Sequence, residues 1–448
     1  MRWKARGVPA VCLSVFVAVV FPPRIRAQQS SDAKISRLDR GRALLMVRNI
    51  RDMLKKEYYD PVFHGVDIDA KYRQSEDLLN NASTLSEAMA DISAFLGVLN
   101  DSHTYFVPPR SMERVDYGFR MRMIGERCLV TQVREGSEAA SKLRSGDEVV
   151  AVGGRAVNRE TFLSVQQRMR GLAAGRMLEV SVRKYGSGAR EDVDLRGLQV
   201  APRAAEIALD SGANGIRSMM DPFASELLEE RWMEFGHSVL VWKMPWFGIK
   251  SGETDAMMRK AKKDSALVLD LRGNPGGPIE NLAHVIGWFF DHDVTIATPV
   301  GRRKMKALFA QPHRGAFEGK LIVLVNSASA SAAELFARVM QIEHRGIVVG
   351  DRTAGAVMES RLFFLHFGTA PVIHYQAAIT TADLLMSDGK SLEGAGVMPD
   401  VLINPSAEDL AAKRDPVLAR AVQLAGLNLS AEEAGKFAPF EWRQSNSE

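Results

Sequence analysis

Two stretches constrain this chain more than any others. Ala266-Leu267-Val268-Leu269-Asp270-Leu271 and Leu321-Ile322-Val323-Leu324-Val325 are short, almost unbroken apolar runs that read as buried strands. Each leads through small residues into a helical pattern. Gly273-Asn274-Pro275-Gly276-Gly277 precedes a helix over 278–290, and the small residues 327–331 precede one around 335–340. The rhythm continues on both sides: strand 238–243, helix 253–262, strand 294–299 and strand 346–350. Strands alternating with helices imply an α/β layered core, with two strand-to-helix turns in the same sheet.

Those turns are where chemistry can collect. Ser331-Ala332-Ala333-Glu334 has capping-box form, so Ser331 can simply satisfy a helix N-terminus. The same unpaired N–H groups also favour developing negative charge beside a hydroxyl. The glycine turn lacks the Lys-Ser/Thr ending of a phosphate loop, but its open backbone can approach a ligand closely. Amides of Gly276 and Ala332 could then converge on one oxyanion.

Upstream, 34–99 is helical in pattern, with helices over 69–79 and from Thr84-Leu85-Ser86-Glu87 to Leu99. It ends in Asn100-Asp101-Ser102-His103, and Pro108-Pro109 then forbids helix. An isolated Ser-His pair there is also compatible with a cap and a surface imidazole. From about 113 the texture is short strands (117–123, 128–133, 148–152, 178–184) around a helix over 161–170. A helix is expected over 222–232, helical pattern returns over 407–427 with an Asp415-Pro416 start, and the end from 430 reads as a loosely ordered tail.

The first residues, Met1-Arg2-Trp3-Lys4-Ala5-Arg6, are basic; an apolar stretch over 8–21 follows, then Ile25-Arg26-Ala27 before polar residues. This is the pattern of a signal peptide over 1–27, with an apolar run shorter than the roughly 20 residues of a spanning helix. An exported, periplasmic or secreted protein without a stable membrane span is expected. Five of the 58 bases lie in that leader, leaving 53 against 54 acids, so charge gives no argument for nucleic acid. With Cys12 in the leader, Cys128 is the one mature cysteine, and an internal disulfide is excluded. The nine histidines show no zinc-ligand spacing and no dinucleotide fingerprint is present, so neither metal nor organic cofactor is expected.

Gly136-Ser137-Glu138 and Leu143-Arg144-Ser145-Gly146-Asp147-Glu148-Val149 resemble a PDZ domain over 113–199. That resemblance implies capture of a peptide C-terminal carboxylate at Tyr117, Gly118 and Phe119, although Tyr117-Gly118-Phe119-Arg120 departs from the usual Gly-Leu-Gly-Phe loop. The insert can also be purely architectural. Six motifs in order extend the resemblance: the Asn100-Asp101-Ser102-His103 segment, the PDZ-like insert, Asp270 to Gly277, Ser329 to Glu334, Val349 to Gly355, and Glu393-Gly394-Ala395-Gly396. Together they resemble the C-terminal processing (tail-specific) serine proteases with a PDZ domain. This implies a crotonase/ClpP-like layered core over 200–428, a helical region over 28–112 carrying the Ser-His pair, and a tail over 429–448. It also implies a serine endopeptidase acting on unfolded or C-terminally exposed polypeptide, with Ser331 as nucleophile and Gly276 and Ala332 as oxyanion donors.

One departure selects between branches. Ser-Lys members carry a lysine after the Thr-x-Gly glycine, a position occupied here by Ala356. The resemblance therefore runs to the tricorn-core-like branch, whose histidine, serine and glutamate match His103, Ser102 and Glu393. Imidazole, with an ordinary pKa near 6.5, suits the role of base. The order of the relay, the natural substrate and the oligomeric state stay open. So do a non-catalytic peptide- or hydrophobic-ligand-binding protein on the same fold, and an esterase or amidase for small substrates.

Overall fold

The computed structural model describes residues 34–109, 114–171, 177–200, 231–367 and 373–437. The expected signal peptide lies outside them, as does the helix over 222–232 except for its last two residues. Those two are not helical: they begin the strand Arg231–Phe235.

The core sheet has six strands in the order Arg231–Phe235, Val239–Lys243, Ala266–Asp270, Lys320–Val325, Gly346–Gly350 and Val401–Leu402. The first pair is antiparallel and the others parallel. The apolar runs that read as buried strands lie at its centre. Leu267, Leu269, Leu321, Val323 and Val325 face the helices Ser251–Ala261, Ile279–Gly287 and Ala332–Ile342. Ala266, Val268, Ile322 and Leu324 face the opposite layer, which includes Pro416–Leu424. Successive side chains point to opposite faces, and both faces are covered, so the run must be continuously apolar.

A second, wholly antiparallel sheet joins Tyr105–Val107, Ile373–Leu385, Val294–Gly301 and Leu308–Ala310, with Met358–Phe367 also paired to Ile373–Leu385. The expected strand over 294–299 therefore belongs here and not to the parallel layer. The long ribbon of Met358–Phe367 on Ile373–Leu385 has no counterpart in the sequence reading. Its register shifts between Glu359 and Ser360, which inverts the alternation that would have marked it.

The helices Arg37–Glu57, Ile68–Asn81 and Leu85–Gly97 pack on that ribbon through Met46, Ile50, Leu54, Ile92 and Leu96 against Tyr375, Ala377 and Ile379. The β-rich insert has its own five-strand meander, Phe119–Ile124, Arg127–Val133, Glu148–Val152, Met177–Arg183 and Arg190–Arg196, closed over an apolar cluster including Val130, Val149, Val180 and Leu195. Its ends are pinned together where Arg114–Asp116 pairs with Leu198–Val200. A segment before the insert can thus meet one after it. The expected 407–427 helix is two helices, Ala407–Ala411 and Pro416–Leu424, the second capped by Asp415. Beyond them Ser430 caps a further short helix, Ala431–Ala434. Among the described residues no helix is long and apolar enough to cross a membrane.

Candidate active site

Ser331 ends the turn after the strand Lys320–Val325 and caps the helix Ala332–Ile342. Its backbone has φ 55° and ψ −120°, a conformation that costs a non-glycine residue free energy and persists only when neighbours enforce it. The enforcement is visible. Ser331 N–H donates to Ala356 O at 2.8 Å and to Glu334 Oε2 at 3.1 Å. Ala330 N–H donates to Asn274 O at 2.9 Å, and the buried Ser329 Oγ donates to Leu271 O at 2.8 Å. Ser327 Oγ donates to Met123 O of the insert. Ser327 and Ser329 thus have structural partners, and Ser331 alone stands at the strained elbow.

The glycine turn lies directly against it. A β carbon on Gly276, whose φ is +99°, would sit 2.7 Å from Ser331 Cβ and 2.9 Å from Ala332 N. Close approach here requires glycine. The two expected oxyanion amides differ, however. Ala332 N–H has no acceptor among the described residues, whereas Gly276 N–H donates to Asn274 Oδ1 at 2.8 Å. The adjacent Gly277 N–H has no acceptor among the described residues. Asn274, fully buried and held by its Nδ2–H to Met244 O, was not singled out by the sequence reading.

His103, Ser102 and Glu393 meet although 290 residues separate the histidine and the glutamate. Ser102 Oγ is 2.6 Å from His103 Nδ1 and 2.8 Å from Glu393 Oε2, and Ser102 N–H donates to Glu393 Oε1 at 2.8 Å. Val357 N–H adds a fourth contact, to Glu393 Oε2 at 2.8 Å. Burial pushes the Glu393 carboxyl up, and these donors pull it back. An ionised Glu393 only accepts, so Ser102 O–H donates to it and takes a hydrogen bond from His103 Nδ1–H. That tautomer leaves Nε2 with its lone pair. Burial pushes the imidazole down to about 4, partly offset by Asp101, so it is neutral at neutral pH.

Asp101 shapes this turn and escaped the sequence reading, though it stands two residues before the histidine. Its Oδ1 accepts from His103 N–H at 2.9 Å, Thr104 N–H at 2.7 Å and Thr380 Oγ1 at 2.7 Å, and its Oδ2 from Tyr58 OH at 2.9 Å. A carboxylate with four donors fixes the backbone that carries the imidazole. No hydrogen bond joins His103 to Ser331 among the described residues.

Ala356 lies beside Ser331 as the motif order implies, and its methyl carries no base. Asp270 and Arg272 serve as scaffold. Although burial pushes Asp270 up, Arg272 at 2.7 Å and Lys243 at 3.3 Å hold it well below the usual carboxylate range, and Arg272 also pairs with Asp415 at 2.8 Å. In the insert, Tyr117 and Phe119 are buried in its core, and Gly118 N–H is taken by Asp116 Oδ1 at 2.9 Å.

The insert touches the core beside the nucleophile turn. Arg159 binds both Asp351 oxygens at 3.0 Å and donates through Nε to Gly125 O at 2.8 Å, while Gly125 N–H donates to Asp351 Oδ2 at 2.9 Å.

Residues 239–403 match the model of peptidase family S41. The chain is 22% identical over 363 residues to carboxyl-terminal-processing peptidase 3, chloroplastic, of Arabidopsis thaliana, covering 78% of this chain and 66% of that one. It is 32% identical over 158 residues to a probable CtpA-like serine protease of Staphylococcus epidermidis, covering 34% of this chain and 31% of that one. The match therefore spans less than two thirds of the length of these curated relatives. Among solved structures, mature CPAF complexed with lactacystin superposes with a TM-score of 0.62 at 15% identity, over 87% of this chain and 98% of that one, which establishes the fold. The layered α/β core that carries Ser331 thus coincides with residues 239–403, the part of the chain that matches the model of peptidase family S41.

Proposed function

We propose that this protein is an exported serine endopeptidase that hydrolyses peptide bonds in unfolded or C-terminally exposed polypeptides. The observation that carries the reading is the hydrogen-bonded series Glu393, Ser102 and His103, assembled from two distant segments and oriented so that Nε2 is free to accept a proton. Ser331 attacks the scissile carbonyl, and His103 takes its proton as general base, then returns it to the leaving amine. The imidazolium formed midway gains its stabilisation from the ionised Glu393 through Ser102. The tetrahedral oxyanion takes a hydrogen bond from Ala332 N–H and a second from the Gly276–Gly277 turn, where Gly277 supplies the amide that has no acceptor among the described residues.

The insert, 113–199, acts as a PDZ domain that holds an extended chain along its terminal strand Phe119–Ile124. What supports this is the position of that strand, whose Met123 O accepts from Ser327 four residues before the nucleophile.

The test uses the full chain, a fluorophosphonate probe and unfolded casein. Labelling at Ser331 and casein cleavage are expected in the wild type, with cleavage reduced at least a thousandfold in Ser331→Ala and His103→Ala. Absence of labelling in the wild type, with retained binding of unfolded chains, would instead favour the non-catalytic binder.

A further inference from the structure

We infer that Glu334 is a positioning residue for the nucleophile: its ionised carboxylate fastens Ser331 to the segment 353–357, which also holds Glu393. This deepens the reading of Ser331 and His103 given above and rests on it.

Glu334 sits in the first turn of the helix behind Ser331 and is fully buried. A capping box asks one bond of the glutamate, from Ser331 N–H, here 3.1 Å to Oε2. Three further donors exceed that role: Ala356 N–H to Oε2 at 2.9 Å, Gly355 N–H to Oε1 at 2.8 Å and the Thr353 hydroxyl to Oε1 at 2.5 Å. Each oxygen accepts two hydrogen bonds, and three of the four come from backbone N–H groups, which can only donate and so favour the ionised form. The helix N-terminus adds to the preference for the anion. The next amide along, Val357 N–H, binds Glu393 Oε2, so one short segment is gripped by the carboxylate behind the nucleophile and by the carboxylate behind the histidine.

Among the described residues no cation pairs with Glu334. Charged groups on the elements around it are engaged elsewhere: Arg338 of the same helix with Asp388, Arg352 with Glu126 and Asp351 with Arg159, while Glu393 accepts from Ser102 and Val357. Without a cation, burial wins in part and pushes Glu334 up to about 7, against the four donors. Protonation on mild acidification replaces an acceptor by a donor facing N–H groups and loosens the segment.

Because the folded state then holds the proton more tightly than the unfolded chain, this group adds stability to the fold as pH falls from 7 towards 4.5. A loss of reactivity over that range is therefore not a loss of fold from this group.

The experiment compares full-length wild type, Glu334→Gln and Thr353→Val in three measurements from pH 5 to 9: fluorophosphonate labelling rate at Ser331, thermal unfolding, and hydrogen exchange of residues 353–357. Wild-type labelling is expected to fall as pH drops through about 7 while the fold persists. Glutamine puts an amide NH2 against two donors, so labelling should slow at least tenfold, lose that acid limb and come with faster exchange at Gly355 and Ala356. Thr353→Val removes one donor and should move the limb to higher pH. Labelling of Glu334→Gln within twofold of wild type with the same pH profile overturns the proposal. If Glu334→Gln fails to fold, an unshifted limb in Thr353→Val overturns it. If the wild type is not labelled at any pH, the peptidase reading fails, and exchange decides separately. Protection of Gly355 and Ala356 that drops below pH 7 supports the positioning role, and pH-independent protection overturns it.

Discussion

Ser331 and Glu393 are joined through a single peptide unit. Ser331 N–H donates to the carbonyl oxygen of Ala356, and the N–H of the next residue, Val357, donates to Glu393 Oε2, both at 2.8 Å. The C=O and N–H of one trans peptide are rigidly coupled and point to opposite sides. The Ala356–Val357 plane therefore separates the nucleophile from the relay by a fixed spacer. In a chain where position 356 carries no lysine, backbone at that position still connects the two halves of the site.

Asp101 is expected to matter as much as the relay it supports. Asp101→Ala strands four donors around a partly buried turn and should lower stability by about 2–4 kcal/mol, with kcat falling at least tenfold. Asp101→Asn keeps one acceptor and should lose less of both. Urea denaturation and casein turnover on the two variants check the order.

Gly276→Ala should be inactive while still folding. The added methyl would lie 2.7 Å from Ser331 Cβ and 3.0 Å from Ala330 O, in a backbone conformation at φ +99° that alanine resists. The strain is expected to cost about 1–3 kcal/mol. Turnover should fall at least a hundredfold because the displaced atoms are those of the nucleophile turn. Circular dichroism with fluorophosphonate labelling distinguishes a displaced serine from an unfolded chain.

Arg159→Ala should release the insert from the core. Asp351 is buried, and burial pushes its carboxyl up while Arg159 pulls it down. Removing the guanidinium leaves an uncompensated buried charge, a change that typically costs about 3–5 kcal/mol. Faster hydrogen exchange at 124–127 and 350–352, with the strands 266–270 and 320–325 unaffected, is the expected pattern. Uniform exchange across all four segments would contradict it.

His103 gives stability a definite pH dependence. Burial lowers its pKa from 6.5 to about 4, so the unfolded chain binds the proton more readily. Its contribution is fully present above pH 6.5 and is lost as pH falls towards 4, by up to roughly 3 kcal/mol. Glu334 acts in the opposite sense over an overlapping range. The wild type minus His103→Ala difference in unfolding free energy should therefore shrink on acidification from pH 7 to 4.5, as read from urea midpoints.

Much of the architecture was legible because it is written locally. The continuous apolar runs at 266–271 and 321–325 require burial on both faces, and the strands found there have it. Thr84, Ser331 and Asp415 mark helix starts that exist, since a cap is chosen by the few residues around it. The ribbon Met358–Phe367 with Ile373–Leu385 was not legible, because its bulge disrupts the period on which strand recognition depends. Similarly, the strand at 294–301 joined a different sheet from the one its rhythm suggested, as pairing partners are selected by packing and not by order along the chain.

The sequence by itself determined the layered core, the helix caps, the glycine that lets one turn approach another, and the candidate groups Ser331, His103, Ser102 and Glu393. Only the tertiary structure decided how these groups are connected: that Glu393 receives Ser102 across 291 residues, that Gly276 N–H is held by Asn274, and that Glu334 has four donors where a cap needs one. The reason is physical. Periodicity and capping depend on neighbours a few residues apart, whereas the partner of a buried carboxylate is whichever donor the packed elements bring within about 3 Å, and no local pattern specifies that distance.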